Sequence, residues 1–310
     1  MNDTALKQTD GDGRVRVSLA ELIALRGRVS HLRLPPQDSR ATRIGTHSSR
    51  LYGRGMDYAE SRAYQPGDDV RRLDWRLTAR SGRLHTKLFQ EEREGQLLIV
   101  FDRNASMHFG TRVRFKSVQA SRAAALAAWY AVKASERIGL MTFGADGYLQ
   151  RPRAGLRGAL DVCGALARCD VQATGPHEPL SQALQRVIKL RHGANRTLLI
   201  SDGQSSDEAA RNRLIEMMRH TAVRVLVVAD ALELQPAPAG DYPIEHQGER
   251  RHVILRSTRQ REAFRHSLGE GQARLAAMAA SLGIPCRTID TATDPLDAVS
   301  ALLRDTGTRR

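Results

Sequence analysis

Two runs of sequence decide the fold: QLLIVFDRNASM at 96–107 and RTLLISDGQSS at 196–206. Each is a short, almost unbroken apolar stretch that ends on an aspartate, Asp102 or Asp202. A run too short for a helix and closed by polar residues reads as a strand buried on both faces. Working outward, RIGLMTF at 137–143, AVRVLVVAD at 222–230 and IPCRTID at 284–290 read as further strands. PIEHQG and RHVILR, within 243–256, read as a hairpin or linked strands. Helical stretches lie between them, at 112–135 (rich in alanine), 157–169, 178–191, 206–219, 267–282 and 294–304. Strands alternating with helices predict an α/β fold built on a doubly wound, mostly parallel sheet of Rossmann type.

The sequence upstream has another character. Residues 1–17, rich in Asp, Gly, Thr and Asn, read as a disordered tail. Ser18, with Glu21 at capping-box spacing, opens an amphipathic helix carrying Leu19, Leu22, Ile23 and Leu25. Pro35-Pro36 ends whatever follows it. Residues 40–93 show weak apolar periodicity and abundant Gly, Arg and Asp, with a turn at Pro66-Gly67. The expected organisation is a tail (1–17), an N-terminal helix with a small Arg/Gly-rich subdomain (18–93), and the α/β domain (94–306).

Composition narrows the function. The 310 residues carry a formal charge of +14, and only five of the 48 basic residues are lysine: Lys7, Lys87, Lys116, Lys133 and Lys189. Residues 26–93 hold 15 bases and 8 acids, half of the whole surplus. Signs alternate closely there, which predicts an internal ion-pair lattice as much as an open basic face. Nucleic acid is therefore an outside possibility for the charge, and an acidic protein partner or a biased composition the nearer ones. No apolar window is long enough for a membrane span, and the first 30 residues lack the apolar core of a signal peptide. Cys163, Cys169 and Cys286 form no CxxC, which suits a reducing cytoplasm. There is no GxxxxGK[ST], no GxSxG and no HExxH, and Gly53-x-Gly55 lacks the strand, the helix and the third glycine of a dinucleotide loop. No nucleotide cofactor is expected.

In an open α/β sheet, ligands gather at the carboxyl ends of the strands. Asp102 and Asp202 both stand there, and two such carboxylates could share a hard divalent cation. They could equally cap the helices that follow or bond loop amides.

The run from Asp102 to Ser106 resembles the Asp-x-Ser-x-Ser motif of von Willebrand factor A domains, with Ser201-Asp202-Gly203 matching the second part of their site. That resemblance implies a Mg²⁺ site made by Asp102, Asn104, Ser106, Glu178 and Asp202. It departs from the pattern twice, since Asn104 replaces a serine and Glu178, in HEPL, replaces a loop threonine. Thr174 could substitute for that threonine only if the loop shifts.

The block around 53–93 sharpens the resemblance. Gly53, Gly55, Arg62, Tyr64, Pro66, Gly67, Asp68, Asp69, Arg71, Asp74, Trp75, Ala79 and Arg80 resemble, in order, the hallmark of the bacterial domain of unknown function 58 family. The segments DALEL at 230–234 and 294–304 fit as well, and the absence of N-terminal membrane helices matches its shorter, soluble subgroup. The hallmark reads as architectural: Asp68 and Asp69 accept from turn amides or from Arg62, Arg71 and Arg80, and Trp75 anchors a core.

The resemblance implies a non-enzymatic scaffold or adaptor that works with a MoxR-type AAA+ ATPase and other von Willebrand factor A-like proteins in chaperone-like assembly. The alternatives are a metal-dependent phosphoryl or phosphodiester hydrolase using Asp102 and Asp202, and, more remotely, a nucleic-acid binder.

Overall fold

The computed structural model describes residues 11–33, 56–91, 95–144, 147–170, 176–190, 194–246 and 249–304. The chain divides into two compact units, residues 35–94 and the remainder.

In the smaller unit, β1 (Met56–Ala63) pairs antiparallel with β2 (His85–Glu91). A 3-10 turn at Val70–Arg72 and a short helix, Trp75–Ser81, connect the two strands. Pro66-Gly67 forms the expected turn: Asp68 N–H donates to Gln65 O at 3.0 Å, and Gly67 takes φ 106°, where a side chain would strain the backbone. Asp68 accepts from Gln65 N at 2.9 Å and from the Arg62 guanidinium at 2.8 Å. Asp69 accepts from the Arg71 amide at 3.0 Å. Buried Asp74 caps the short helix through Leu77 N at 3.1 Å and accepts from Ser61 Oγ at 2.7 Å. These contacts make the hallmark partly architectural.

Two of its expected roles change. Trp75 is not a core anchor: it is 67% exposed on the first turn of its helix. Among the described residues Arg80 makes no bond to Asp68 or Asp69, whereas Arg62 pairs with Asp68. Gly53 and Gly55 lie outside the described residues.

The larger unit opens with a correction. Residues 11–17, expected in a disordered tail, turn around Asp12, whose Oδ1 accepts from the amides of Arg14, Val15 and Arg16. Val17 is buried and donates its N–H to Asp170 at 2.7 Å. Residues 1–10 lie outside the described residues. Helix α1 (Leu19–Ser30) is capped by Ser18 as expected. It belongs to this unit and not to the Arg/Gly-rich subdomain, because Leu22, Leu25 and Val29 join the core of the sheet.

Six strands form that sheet. Chain order gives β3 (Gln96–Arg103), α2 (Lys116–Lys133), β4 (Arg137–Gly144), β5 (Leu149–Arg153), α3 (Gly155–Asp170), α4 (Leu180–Lys189), β6 (Arg196–Ser201), α5 (Glu208–Met218) and β7 (Ala222–Ala229). A short helix, Ala231–Leu234, and a separate hairpin, β8 (Gly240–His246) with β9 (Glu249–Leu255), follow. The chain closes with α6 (Thr258–Leu268), α7 (Glu270–Ser281), β10 (Cys286–Asp290) and α8 (Leu296–Arg304). Spatial order is β10-β7-β6-β3-β4-β5, parallel throughout except for the edge strand β5. This is the expected α/β architecture, a doubly wound and mostly parallel sheet.

Strand geometry explains the two layers. Successive side chains point to opposite faces, so Leu97, Ile99 and Phe101 join one core with α1, α2, α3 and α8, while Leu98 and Val100 join the other with α4, α5 and α7. Alanines let α2 approach the sheet closely, and 15 of its 18 residues are buried. Trp129 on α2 donates its indole N–H to Leu22 O at 2.9 Å, which fastens α1 from outside. Two elements depart from expectation. Strand β5 contains Pro152, which an edge tolerates. Helix α6 buries no residue and shows no apolar stripe, but carries a full capping box between Ser257 and Gln260. Among the described residues, no helix is long and apolar enough to cross a membrane.

Candidate functional site

The parallel strands deliver Asp102 and Asp202 to the same edge of the sheet, since β3 pairs directly with β6. Both carboxylates are buried. Neither caps a helix: Phe115 precedes α2 and Asp207 precedes α5. They instead organise the loops that leave the sheet, the second of the two alternatives for these residues.

Asp102 is saturated. Its Oδ2 accepts from Ser201 Oγ at 2.6 Å and Ser205 Oγ at 2.8 Å. Its Oδ1 accepts from the Asn104 amide N–H at 2.9 Å and from Asn104 Nδ2 at 2.8 Å. Burial, and then the neighbouring Asp202 charge, push its carboxyl up to about 6 despite those bonds.

Asn104 acts as a piece of backbone. Its Oδ1 accepts the Glu178 N–H at 2.8 Å and its Nδ2 also donates to Glu178 O at 3.1 Å, so one amide side chain stitches the loop after β3 to the loop before α4. A serine hydroxyl has a single hydrogen and could not donate to Asp102 Oδ1 and Glu178 O at once, as Asn104 Nδ2 does. The Glu178 carboxylate turns to Gly144 N–H at 3.0 Å and to Arg186 at 2.8 Å. Gly144 has φ 97°, and a Cβ there would lie 2.6 Å from Asn104 N, so glycine alone allows the approach.

Asp202 meets a cation, and the chain itself supplies it. Lys116 Nζ donates to Asp202 Oδ2 at 2.9 Å and to Glu233 Oε1 at 2.6 Å, and it lies 5.5 Å from the centre of the Phe109 ring. Lys116 is 1% exposed. It stands in the first turn of α2, where the helix dipole disfavours a positive charge. Burial also pulls its ammonium downward, yet Asp202 and Glu233 outweigh burial and shift it upward. Glu233 is held for this task, because its Oε2 accepts Asp230 N–H at 2.7 Å in a capping box. Asp230 in turn anchors Thr111, through N–H at 3.0 Å and Oγ1 at 2.6 Å, and so fixes the loop that leads into α2.

The five expected ligands therefore meet, in part, without fitting a divalent cation. Asp102, Asn104 and Glu178 are linked, and Asp202 lies close enough to feel the Asp102 charge. Mg²⁺ demands about six oxygens in near-octahedral array. Here the oxygens of Asp102, Asn104 and Glu178 accept internal donors, and Asp202 takes an ammonium. Of these five residues, Ser106 is the one whose side-chain oxygen is buried with no hydrogen-bond partner. Among the described residues, no three His, Cys, Asp or Glu side chains converge on one point. Thr174 lies outside the described residues. Beside Asp102, a void of about 10 Å³ between Arg103, His108, Ser117 and Asp170 has room for a single water.

Against this geometry stand the relatives. The family model described as protein of unknown function DUF58 matches residues 60–274. The chain belongs to the DUF58 family. Two curated relatives, uncharacterized protein Rv1480 of Mycobacterium tuberculosis (strain ATCC 25618 / H37Rv) and uncharacterized protein Mb1516 of Mycobacterium bovis, are each 27% identical over 202 residues. That stretch is 65% of this chain and 63% of each relative, so the chain spans less than two thirds of the relatives' length. Similar solved structures include BatB from Bacteroides thetaiotaomicron, at 14% identity and TM-score 0.39, covering 67% of this chain and 97% of that one. An aerotolerance-related membrane protein from Bacteroides fragilis gives 15% identity and TM-score 0.42, covering 68% and 97%.

Sequence reasoning did not reach Lys116, Ser205 or the role of Glu233 in this DUF58 chain. A signal existed for the first: one of five lysines in an arginine-rich chain, placed in a helix's opening turn that holds no acid.

Proposed function

We propose that this chain is a non-enzymatic protein-binding adaptor, acting in the cytoplasm, whose von Willebrand factor A-type site works without a divalent cation. The observation that supports this reading is the Lys116 ammonium bonded to both Asp202 and Glu233. A cation of fixed position takes the charge-balancing role that a metal would have, and the edge of the sheet becomes a set structural platform. The partner we assign is a MoxR-type AAA+ ATPase, alone or with other von Willebrand factor A-like proteins, an assignment that rests on the family resemblance. A hydrolase would need Asp102 and Asp202 open to a metal, a water and a substrate; their oxygens instead serve internal donors.

The test uses the full chain. Titration calorimetry with Mg²⁺ gives no saturable heat, and immobilised chain captures the host's MoxR-type ATPase equally well as wild type and as Asp102→Asn, in one buffer containing Mg²⁺ and nucleotide. Saturable Mg²⁺ binding abolished by Asp102→Asn would overturn the metal-free site. Failure to capture the ATPase would remove that partner, and turnover of bis(p-nitrophenyl) phosphate that disappears in Asp102→Asn would establish the hydrolase.

A further inference from the structure

The smaller unit carries a surface that its architectural role leaves unexplained. Along the helix Trp75–Ser81, Leu77 and Thr78 are half-buried, while Trp75, Arg76, Ala79 and Arg80 are exposed. Those four positions, at i, i+1, i+4 and i+5, make one continuous outer face. Val70 before it and Leu84 after it are 61% and 47% exposed. Arg71 and Arg83 are also exposed. A tryptophan that is 67% exposed, with two aliphatic side chains from the same 15-residue stretch, leaves a large apolar area in water.

Three neighbouring carboxylates are engaged elsewhere. Asp68 holds Arg62, Asp69 bonds the Arg71 backbone amide, and Asp74 is buried against Ser61 and Leu77 N. The side chains of Arg71, Arg76, Arg80 and Arg83 have no carboxylate partner among the described residues. Arginine and tryptophan are the side chains that dominate binding energy at protein interfaces, because both present large, pre-shaped contact areas.

We propose that this face is a docking site for an acidic protein segment carrying apolar anchors, in which carboxylates meet Arg76 and Arg80 and an apolar side chain packs on Trp75. The site is built wholly from residues of the 35–94 unit. Single-stranded nucleic acid would also stack on Trp75 and pair with arginines. Val70 and Leu84 favour a protein, since neither offers anything to a phosphate backbone.

The experiment is selection of a phage-displayed library of random 16-residue peptides against the full chain, followed by fluorescence titration of the enriched peptides. The expected peptides are rich in Asp and Glu around Leu, Ile, Phe or Trp. Their affinity falls about tenfold or more in Trp75→Ala and in Arg76→Glu/Arg80→Glu, while the melting temperature stays at the wild-type value, because all three side chains lie on the surface. Enriched peptides that are not acidic, or that bind both variants as well as wild type, would overturn the proposal. So would tight binding of a 30-nucleotide single strand, with a steep salt dependence and lost in the same variants, since that assigns the face to nucleic acid.

Discussion

Lys116 Nζ and Asp202 Oδ2 lie 2.9 Å apart with both side chains out of water, one reaching from the start of α2 and the other from the end of β6. The pair joins a helix to the central sheet at the carboxyl edge where such folds place their ligands. Its second arm, from Lys116 to Glu233, ties in the loop after β7. One ammonium thus sets the relative position of three segments.

Removing that ammonium is expected to be costly. Lys116→Met leaves Asp202 and Glu233 buried without their counter-ion, and breaking a buried pair from one side costs about 3–5 kcal/mol. Urea denaturation at pH 7 gives the loss directly. The loss shrinks toward pH 5, because burial raises the Glu233 carboxyl, which can then take a proton. In the triple variant Lys116→Met/Asp202→Asn/Glu233→Gln, most of the stability returns. A single variant as stable as wild type would mean that the pair contributes nothing.

Asp102 makes stability depend on pH in a defined direction. Its carboxyl is raised to about 6 in the fold from an ordinary 3.8, chiefly by burial. Between those values the folded chain holds a proton that the unfolded chain has released. This contribution is therefore full below pH 4 and is lost as pH rises through 6. Asp102→Asn removes the titration. The difference in stability, variant minus wild type, should rise from pH 4 to pH 7 and then level off, as read by melting temperature across a buffer series. A difference that stays flat would show that Asp102 is ionised in the fold at all these values.

The N-terminal boundary can be tested by truncation. Removing 1–33 strips Val17, Leu22, Leu25 and Val29 from the core and takes the acceptor of the Trp129 indole, Leu22 O. Each buried aliphatic side chain is worth about 1.5–3 kcal/mol, so the shortened chain should aggregate or melt well below wild type. An undisturbed melt would place α1 outside the folding unit.

Much of the fold was legible because its code is local. QLLIVFD at 96–102 could hardly be anything other than a buried strand, and the pleat of a strand then sends Leu97 and Leu98 to opposite layers. Helix α6 was not legible, since a helix polar all round has no periodic stripe, and only the capping box marked its start. The site was legible in half. Asp102 and Asp202 announced themselves by ending strands. Lys116 did not, because a residue 86 positions from its partner carries no spacing signal, and only the folded chain brings the charges together. Trp75 misled for a related reason: aromatic residues are usually placed inside, and nothing local says that this one faces outward.

Lys116→Ala tests whether the ammonium holds a place that a metal ion could take. In Lys116→Ala the side chain retreats and leaves a space bounded by the carboxylates of Asp202 and Glu233, with the Asp102 carboxyl nearby. Unpaired buried carboxylates seek a proton or a cation, and Mg²⁺ or Ca²⁺ is the hard cation suited to oxygen donors. An ion that binds only the folded variant stabilises it by mass action, by about 2.7 kcal/mol when its concentration is one hundred times its dissociation constant. Millimolar Mg²⁺ or Ca²⁺ should therefore raise the melting temperature of Lys116→Ala and leave that of the wild type unmoved. Lys116→Arg, which keeps the charge, should behave as wild type toward both ions. Equal response of wild type and Lys116→Ala would locate any metal effect elsewhere in the chain. No response from Lys116→Ala would mean that protons, not metal ions, fill the gap left by the ammonium, and its stability should then climb steeply as the pH is lowered.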